Sequence, residues 1–247
     1  MRVIFFLFIS LSIQIAHAND TIIVAVNDTA PWKMVKDGKI EGIDINITNE
    51  LASRLGLKVE YRALPFKRCL LSLRRGQADI MGFLTFKEER TEFLRYIQPP
   101  YQGDTKIFYV RLGEAQKLKN YEDLYNLNTG VILGHKHYEP FDSDKKIKKS
   151  YVNKIRSSYH MLAKGHVDAI IDNDTQGPYN AHRFGVADSI EIAPYKAKLE
   201  MNGYFAMSKK SKFITQVEKF DEVLKEMVES GTIDKIIQEG IKEYLPK

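Results

Sequence analysis

The sequence predicts an α/β protein made of two similar halves, each a mostly parallel sheet flanked by helices. Strand and helix patterns alternate from Thr21 to about Leu84, and a second alternating unit begins at Thr105. Such an order is typical of parallel sheets with right-handed crossovers. Extended segments lie near 104–106 and 202–205. Each half would contain roughly a hundred residues, an ordinary domain size.

The local signals of the first half are specific. An apolar run at 21–26 is typical of a buried strand, and Asp44 is placed to cap the helix that follows. Gly56 would end that helix, and Pro65 would open the next one. The expected elements are a strand at 21–26, a helix at about 44–55, a strand at 58–63, a helix at 66–75 and a strand at 78–84.

The second half repeats the alternation, and amphipathic helices close the chain. The charged run at 142–149 is interpreted as a solvated loop. The expected strands lie at 105–111, 129–133, 167–171 and 203–207, and the helices near 121–125, 156–164, 176–184, 213–229 and 232–244.

Composition excludes several classes of protein. The 247 residues are 44% hydrophobic and 28% charged, which is ordinary for a globular protein and argues against disorder. The net charge of +5 suits an anionic small ligand or a membrane surface, but no dense basic tract indicates nucleic acid. Cys69 is the only cysteine, so an intramolecular disulfide is excluded, and we expect a buried apolar role for it.

Residues 1–18 have the pattern of a secretory signal peptide. Arg2 precedes an apolar core that is too short to span a bilayer, and the core ends in the small-x-small sequence Ala16-His17-Ala18. Cleavage after Ala18 would start the mature protein at Asn19. We therefore expect an exported protein located in the periplasm.

The stretch 76–101 carries the strongest functional signal. A buried strand ends in a polar turn at Thr85, and a short helical segment then carries Arg90. Ligands bind at the carboxyl edge of strands in α/β sheets, and a guanidinium matches a carboxylate with two parallel hydrogen bonds. The stretch therefore predicts a carboxylate clamp. The alternative is that Arg90 only pairs with a neighbouring surface glutamate.

The same stretch resembles the signature of the family 3 solute-binding proteins, the periplasmic receptors of polar amino acid ABC transporters. Three further motifs, at 42–45, 167–171 and 230–236, are similar to that family in order and spacing. The resemblance covers nearly all of 22–244. The matching positions of the first stretch are Gly76, Asp79, Thr85, Glu89, Arg90, Tyr96, Pro100 and Tyr101.

The resemblance implies a two-lobed clamshell of the type II periplasmic-binding-protein fold, with two extended hinge crossings near 104–106 and 202–205 and with the last two helices returning to the first lobe. Residues 19–104 and 204–247 would form a discontinuous first lobe, and residues 105–203 the second. It also implies ligand-binding positions in both lobes. In the first lobe these are Arg90, Thr85, Gly82 and Phe83 for a carboxylate and its pocket, Trp32 and Phe66 as flat apolar faces, and Arg68 as a second cation. Core packing for Trp32 and Phe66, and a surface position for Arg68, remain the alternatives.

The second lobe departs from the family pattern. Asn173 stands where amino acid receptors hold an aspartate for the α-ammonium, so either Asp172 or Asp174 replaces it or the ligand has no free α-amino group. The hydroxyl loop of the family is replaced by His135, Lys136 and His137. The resulting cleft is more cationic, which favours a dicarboxylate, an acidic amino acid or a modified amino acid. Two histidines alone are weak support for a metal site.

The expected function is capture of a small carboxylated solute by lobe closure and delivery to the membrane permease of an ABC transporter. No catalytic residue, cofactor or metal is indicated, nucleic acid is not an expected partner, and a monomer is expected. Two alternatives stay open. One is a sensory receptor for a membrane signalling partner, and the other is a dehydratase-type enzyme that would use Glu89, Asp172, Asp174 or His137 as acid or base.

Overall fold

The structure is a computed structural model that describes residues 20–135 and 137–244. The signal-peptide segment at 1–18 and the predicted site residue Lys136 lie outside these ranges. The strands are β1 Thr21–Val26, β2 Met34–Lys36, β3 Lys39–Glu41, β4 Lys58–Ala63, β5 Ile80–Thr85, β6 Leu94–Tyr96, β7 Gln102–Arg111, β8 Asn128–Ile132, β9 Lys148–Val152, β10 Ala169–Asn173 and β11 Ile190–Ser208. The α-helices are α1 Ile43–Arg54, α2 Phe66–Arg75, α3 Ile155–Ala163, α4 Gln176–Arg183, α5 Val217–Glu229 and α6 Thr232–Tyr244.

Within the described residues, the strands other than β2 and β3 form one continuous sheet in the order β4-β1-β5-β11-β7-β10-β8-β9, with β6 also paired to β11. The blocks β4-β1-β5 and β10-β8-β9 are parallel. The long strands β7 and β11 run antiparallel to each other between the blocks. The predicted fold class is therefore confirmed, with two parallel blocks joined through a pair of long strands.

Each block has its own hydrophobic core. Around β1 and β5, helices α1, α5 and α6 enclose one cluster that includes Ile43, Leu224 and Met227. The second block is closed by clusters around Phe108 and Tyr159. The C-terminal helices thus pack on the first block, as their apolar faces require. None of the helices in the two described ranges is long and apolar enough to cross a bilayer.

Two local expectations are wrong. Helix α1 begins at Ile43 with Gly42 as its N-cap residue, and Asp44 is buried in the first turn instead of capping the helix. The segment at 142–149 is not simply a solvated loop, because β9 begins at Lys148 and pairs with β8. Both errors have one cause: tertiary partners distant in sequence decide whether these charged residues are buried or paired.

Candidate functional site

A cavity of about 350 Å³ lies between the two blocks. Its size is at the lower end of the range for small-molecule sites, roughly 300–1,000 Å³. Loops and helix starts that follow the carboxyl ends of β1, β8 and β10 line it, where α/β sheets bind ligands. Its lining residues are Asp28, Thr29, Ala30, Lys106, Ile132, His135, His137, Ile155, Ile171, Asp172, Asn173, Gln176, Asn180 and Arg183.

Lys106 and Asn173 form a polar pair on the second-half wall. Both residues are buried, on the adjacent strands β7 and β10, and the Lys106 ammonium donates to the Asn173 side-chain oxygen. The Asn173 amide nitrogen in turn donates to Gln176 Oε1 at 3.1 Å. The predicted site residue Asn173 therefore faces the cavity together with Lys106, a cation that the sequence analysis missed.

Asp172 also borders the cavity, but its carboxylate is occupied. One oxygen accepts from the Tyr159 hydroxyl at 2.8 Å and from the Asn180 amide at 2.9 Å. The other accepts from the backbone N–H of Asn173 at 2.8 Å. Burial raises the pKa of Asp172 above its ordinary value, and these hydrogen bonds oppose the shift. The carboxylate is thus committed to holding β10, α3 and α4 together.

His137 presents an imidazole to the cavity. Both ring nitrogens are buried and have no hydrogen-bond partner among the described residues. The ring meets Phe141 edge-on at 5.8 Å, and the His137 backbone N–H donates to Asp142 at 2.8 Å. Burial lowers the pKa of His137 to about 4, assisted by the positive charge of Lys106. The imidazole is therefore neutral at pH 7.

Two further basic side chains stand at the exposed rim. Arg183, on the last turn of α4, lies 5.9 Å from the Tyr179 ring and 6.0 Å from the Phe184 ring. Among the described residues it has no acidic partner within ion-pair distance. His135 lines the cavity and is exposed. Asp174, predicted as a ligand residue, is not a lining residue, and its backbone N–H donates to Thr105 O at 2.9 Å.

The two halves touch across the cavity. Gln176 Nε2, at the start of α4, donates to the carbonyl oxygen of Ala30 at 3.4 Å. Nearby, the Tyr179 hydroxyl lies 3.8 Å from the sulfur of Met34. These contacts join the second half to the loop that follows β1 and to the start of β2 in the first half.

Arg90 and Thr85 lie together at the end of β5, but neither lines this cavity. Arg90 Nη1 donates to the Thr85 carbonyl oxygen at 3.0 Å, and its guanidinium lies 5.7 Å from the Phe66 ring centroid. Phe66 remains 40% exposed. The structure therefore brings three predicted site residues together, outside the cavity. Arg68 is exposed on α2, which matches the surface alternative.

The predicted role of Trp32 as an aromatic face for the solute does not fit its position. Trp32 has no exposed surface, and its ring stacks on Phe83 at 5.0 Å with an interplanar angle of 11°. Phe83 is half-buried and takes a left-handed backbone conformation, with φ of 52°. Such a conformation is unfavourable for a bulky residue unless its surroundings hold it. Here the Tyr101 oxygen accepts the Phe83 N–H.

Gly82 is a packing residue in this structure instead of a cavity residue. A Cβ atom at this position would lie 2.6 Å from a carboxylate oxygen of Asp44 and 2.9 Å from the Phe205 ring. The Gly82 carbonyl oxygen accepts from the Lys33 ammonium at 3.1 Å. Glycine is therefore required here for close approach, not for the shape of a ligand pocket.

A buried ionic network lies behind Gly82 and Phe83, and the sequence analysis missed it. The Lys33 ammonium lies 3.9 Å from Asp44 Oδ2, with both side chains about 3% exposed. Asp44 Oδ1 also accepts from the Tyr101 hydroxyl. Burial raises the pKa of Asp44 and lowers that of Lys33, and each partner opposes the shift of the other. The network joins the loop after β1 to α1 and to the end of β5.

The metal hypothesis gains no support from the geometry. Across 20–135 and 137–244, no group of three or more histidine, cysteine, aspartate or glutamate side chains is arranged to hold a metal ion. Cys69 is buried, as expected, and its thiol donates to the Leu64 carbonyl oxygen at 3.3 Å.

Sequence comparison adds an independent finding. The family described as bacterial extracellular solute-binding proteins, family 3, matches residues 22–242. A probable histidine-binding protein of Campylobacter jejuni is 22% identical over 90% of this chain and 86% of its own length. The L-cystine-binding protein TcyA of Bacillus subtilis is 23% identical over 85% of this chain and 75% of its own. The match to the probable amino-acid-binding protein YxeM of Bacillus subtilis, at 24% identity, spans 61% of this chain and 58% of that protein.

Solved structures share the fold over nearly the whole described chain. Substrate binding domain 2 of Lactococcus lactis GlnP, in an open conformation, has a TM-score of 0.75 at 20% identity, covering 91% of this chain and 97% of that one. The L-cystine solute receptor of Neisseria gonorrhoeae, unliganded and open, has a TM-score of 0.74 at 18% identity, covering 92% and 95%. The periplasmic VFT2 domain of Bordetella pertussis BvgS has a TM-score of 0.70 at 18% identity, covering 90% and 94%.

Proposed function

Because this chain belongs to the bacterial extracellular solute-binding proteins of family 3, we propose that it captures a small carboxylated solute between its two halves for delivery to the permease of an ABC transporter. The solute is an amino acid or a related compound. The observation that carries the proposal is the cavity of about 350 Å³ lined by both halves and bridged by Gln176 and Ala30.

The halves act as two lobes that close on the solute. Residues 19–104 and 204–247 form one lobe and 105–203 the other, with β7 and β11 as the crossings. Pairing of Gly103 with Asn202 where the strands pass between the blocks supports this division. Hinge closure of this kind completes a site only when residues of both lobes meet. Small-angle scattering that detects no compaction on solute binding argues against closure.

Arg90 is the carboxylate clamp in this proposal. Its guanidinium carries five N–H donors, and the structure uses one of them on Thr85 O. Thr85, whose carbonyl oxygen accepts that hydrogen bond, and the partly exposed ring of Phe66 adjoin it at the edge of β5 and α2. A solute that reaches from the cavity to this edge would place its carboxylate between Arg90 and Thr85.

Export supports the same role. We propose that residues 1–18 are a signal peptide, cleaved after Ala18, and that the mature chain acts as a monomer in the periplasm. N-terminal sequencing of the mature protein checks the cleavage site, and cell fractionation checks the compartment.

A thermal-shift screen of amino acids, dicarboxylates and small peptides tests the function. A solute at a hundred times its Kd stabilises the folded state by about 2.7 kcal/mol. Arg90→Ala is expected to abolish this shift without unfolding the apo protein, because Arg90 is half exposed and makes few internal contacts. Arg75→Ala, an exposed arginine on α2, is the control and keeps the shift. A normal shift in Arg90→Ala would remove the clamp from the proposal.

A sensory receptor is the second candidate, because the fold likeness includes the BvgS periplasmic domain as well as transporter domains. Uptake of the labelled solute by cells that lack the protein separates the two roles. Unchanged uptake contradicts delivery to a transporter.

We further propose that the protein performs no catalysis, since Asp172 is saturated by hydrogen bonds. A solute recovered chemically altered after incubation would contradict this.

A further inference from the structure

The second-half wall of the cavity has an unequal set of donors and acceptors. Most of its side-chain acceptors are already used: both Asp172 oxygens, the Asn173 side-chain oxygen and Gln176 Oε1 each accept a hydrogen bond from within the protein. The exception is one ring nitrogen of the neutral His137, whose partner is not found among the described residues. An incoming ammonium would therefore compete with existing donors for every one of these oxygens. The wall therefore offers few unused acceptors to a donor-rich group.

The same wall is rich in donors and positive charge. Lys106 brings a buried ammonium to it, and Arg183 brings a guanidinium with no acidic partner among the described residues. The neutral imidazole of His137 adds one N–H whose partner is not found in the described parts of the chain. A buried donor without a partner is costly, so a ligand that supplies an acceptor is favoured.

We propose that the part of the solute that meets the second half is an anionic, carboxylate-type group, held by Lys106, His137 and Arg183. This inference rests on the proposed function, because it concerns the solute in the same cavity. It assigns the chain a solute with an acidic end.

Two matched series of probes test the inference at pH 7.5 by isothermal titration. The first is L-glutamate, L-glutamine and L-lysine, and the second is glutarate, its monoamide and 5-aminopentanoate. Each series changes the charge of one end from negative through neutral to positive. Hydrogen bonds to charged groups are worth about 1.5–3 kcal/mol, so the acidic member of at least one series should bind about ten-fold or more tightly than its amide.

Variants then locate the preference. Arg183→Gln should reduce the ratio of acid to amide affinity about ten-fold, and Arg183 is exposed, so the change leaves the fold intact. Lys106→Gln should reduce the ratio further. Arg75→Gln removes an exposed arginine of α2 and should leave it unchanged.

The outcomes separate this inference from the proposed function. Preferential binding of an amide or of a basic probe overturns the inference and leaves the receptor role standing. Absence of binding by every acidic probe also overturns it, while the broader solute screen continues to test the receptor role. An acid preference that survives in both variants assigns the anion to a different wall and contradicts the proposal.

Discussion

The two faces of the cavity use their polar groups in opposite ways. Behind the first-half face, Lys33, Asp44 and Tyr101 bind one another in the protein interior. On the second-half face, Lys106, His137 and Arg183 are directed to the cavity. Polar groups that satisfy one another fix a local structure, whereas donors that border a cavity are placed to meet a ligand. We infer that the first half is a stable platform, and we propose that the second half discriminates between solutes.

The platform is tested most severely by breaking its buried ion pair. Lys33→Met leaves the Asp44 carboxylate buried without its cation. Removing one partner of such a pair costs about 3–5 kcal/mol, because the remaining charge is uncompensated. We expect a loss of this size in the free energy of unfolding, measured by urea denaturation at pH 7.5.

Two further variants make this measurement specific. The double variant Lys33→Met with Asp44→Asn removes both charges and should recover part of the loss, which a double-mutant cycle quantifies. Lys36→Met, at an exposed position on β2, is the matched control and should change stability by less than about 0.5 kcal/mol. Equal costs for Lys33→Met and Lys36→Met would show that the pair does not support the first half.

The sequence predicted the elements whose signals are local. The strand Lys58–Ala63 and the helix Phe66–Arg75 match their expected bounds to the residue, because alternation and Pro65 are signals within the segments themselves. In contrast, β11 extends over Ile190–Ser208, although only 203–207 was expected. Its pairing with β7 and β5 lies far away in sequence, and its charged residues hide the strand pattern.

The candidate site was predicted only in part for the same reason. Asn173, His135 and His137 were found because they interrupt a family motif, and all three line the cavity. Lys106 was missed, since a lysine in a strand is usually exposed and nothing local indicates that it faces Asn173. Trp32 is buried and stacks on Phe83, a contact across 51 residues that no periodicity reports.

The second-half face can be tested through the protonation of His137. Its folded-state pKa of about 4 lies below the ordinary value of 6.5. Between these values the unfolded chain binds a proton that the folded chain excludes, so stability is full above pH 6.5 and falls as the pH drops towards 4. Lys106, His135 and Lys149 face the ring and oppose its protonation.

The measurement compares urea unfolding at pH 7.5 and pH 5.0. Wild type should lose about 2 kcal/mol more than His137→Gln over this interval, because glutamine does not titrate. His182→Gln, at an exposed histidine on α4, is the control and should keep the wild-type pH dependence. Parallel pH profiles for wild type and His137→Gln would mean that the imidazole is solvated, and the contrast between the two faces would weaken.

The smallest expected effect concerns the contact that joins the two faces. Gln176→Ala removes the hydrogen bond to Ala30 O, which spans the cavity at 3.4 Å. A neutral hydrogen bond contributes about 0.5–1.5 kcal/mol, so the Kd for the solute should rise about two-fold to ten-fold. Because the bond exists only when the halves meet, the change should appear in the dissociation rate and not in the association rate.

Stopped-flow fluorescence of Trp32, the single tryptophan, can follow both rates. Gln238→Ala, on the exposed side of α6, is the control. An unchanged dissociation rate in Gln176→Ala would mean that Gln176 does not hold the halves together around the solute.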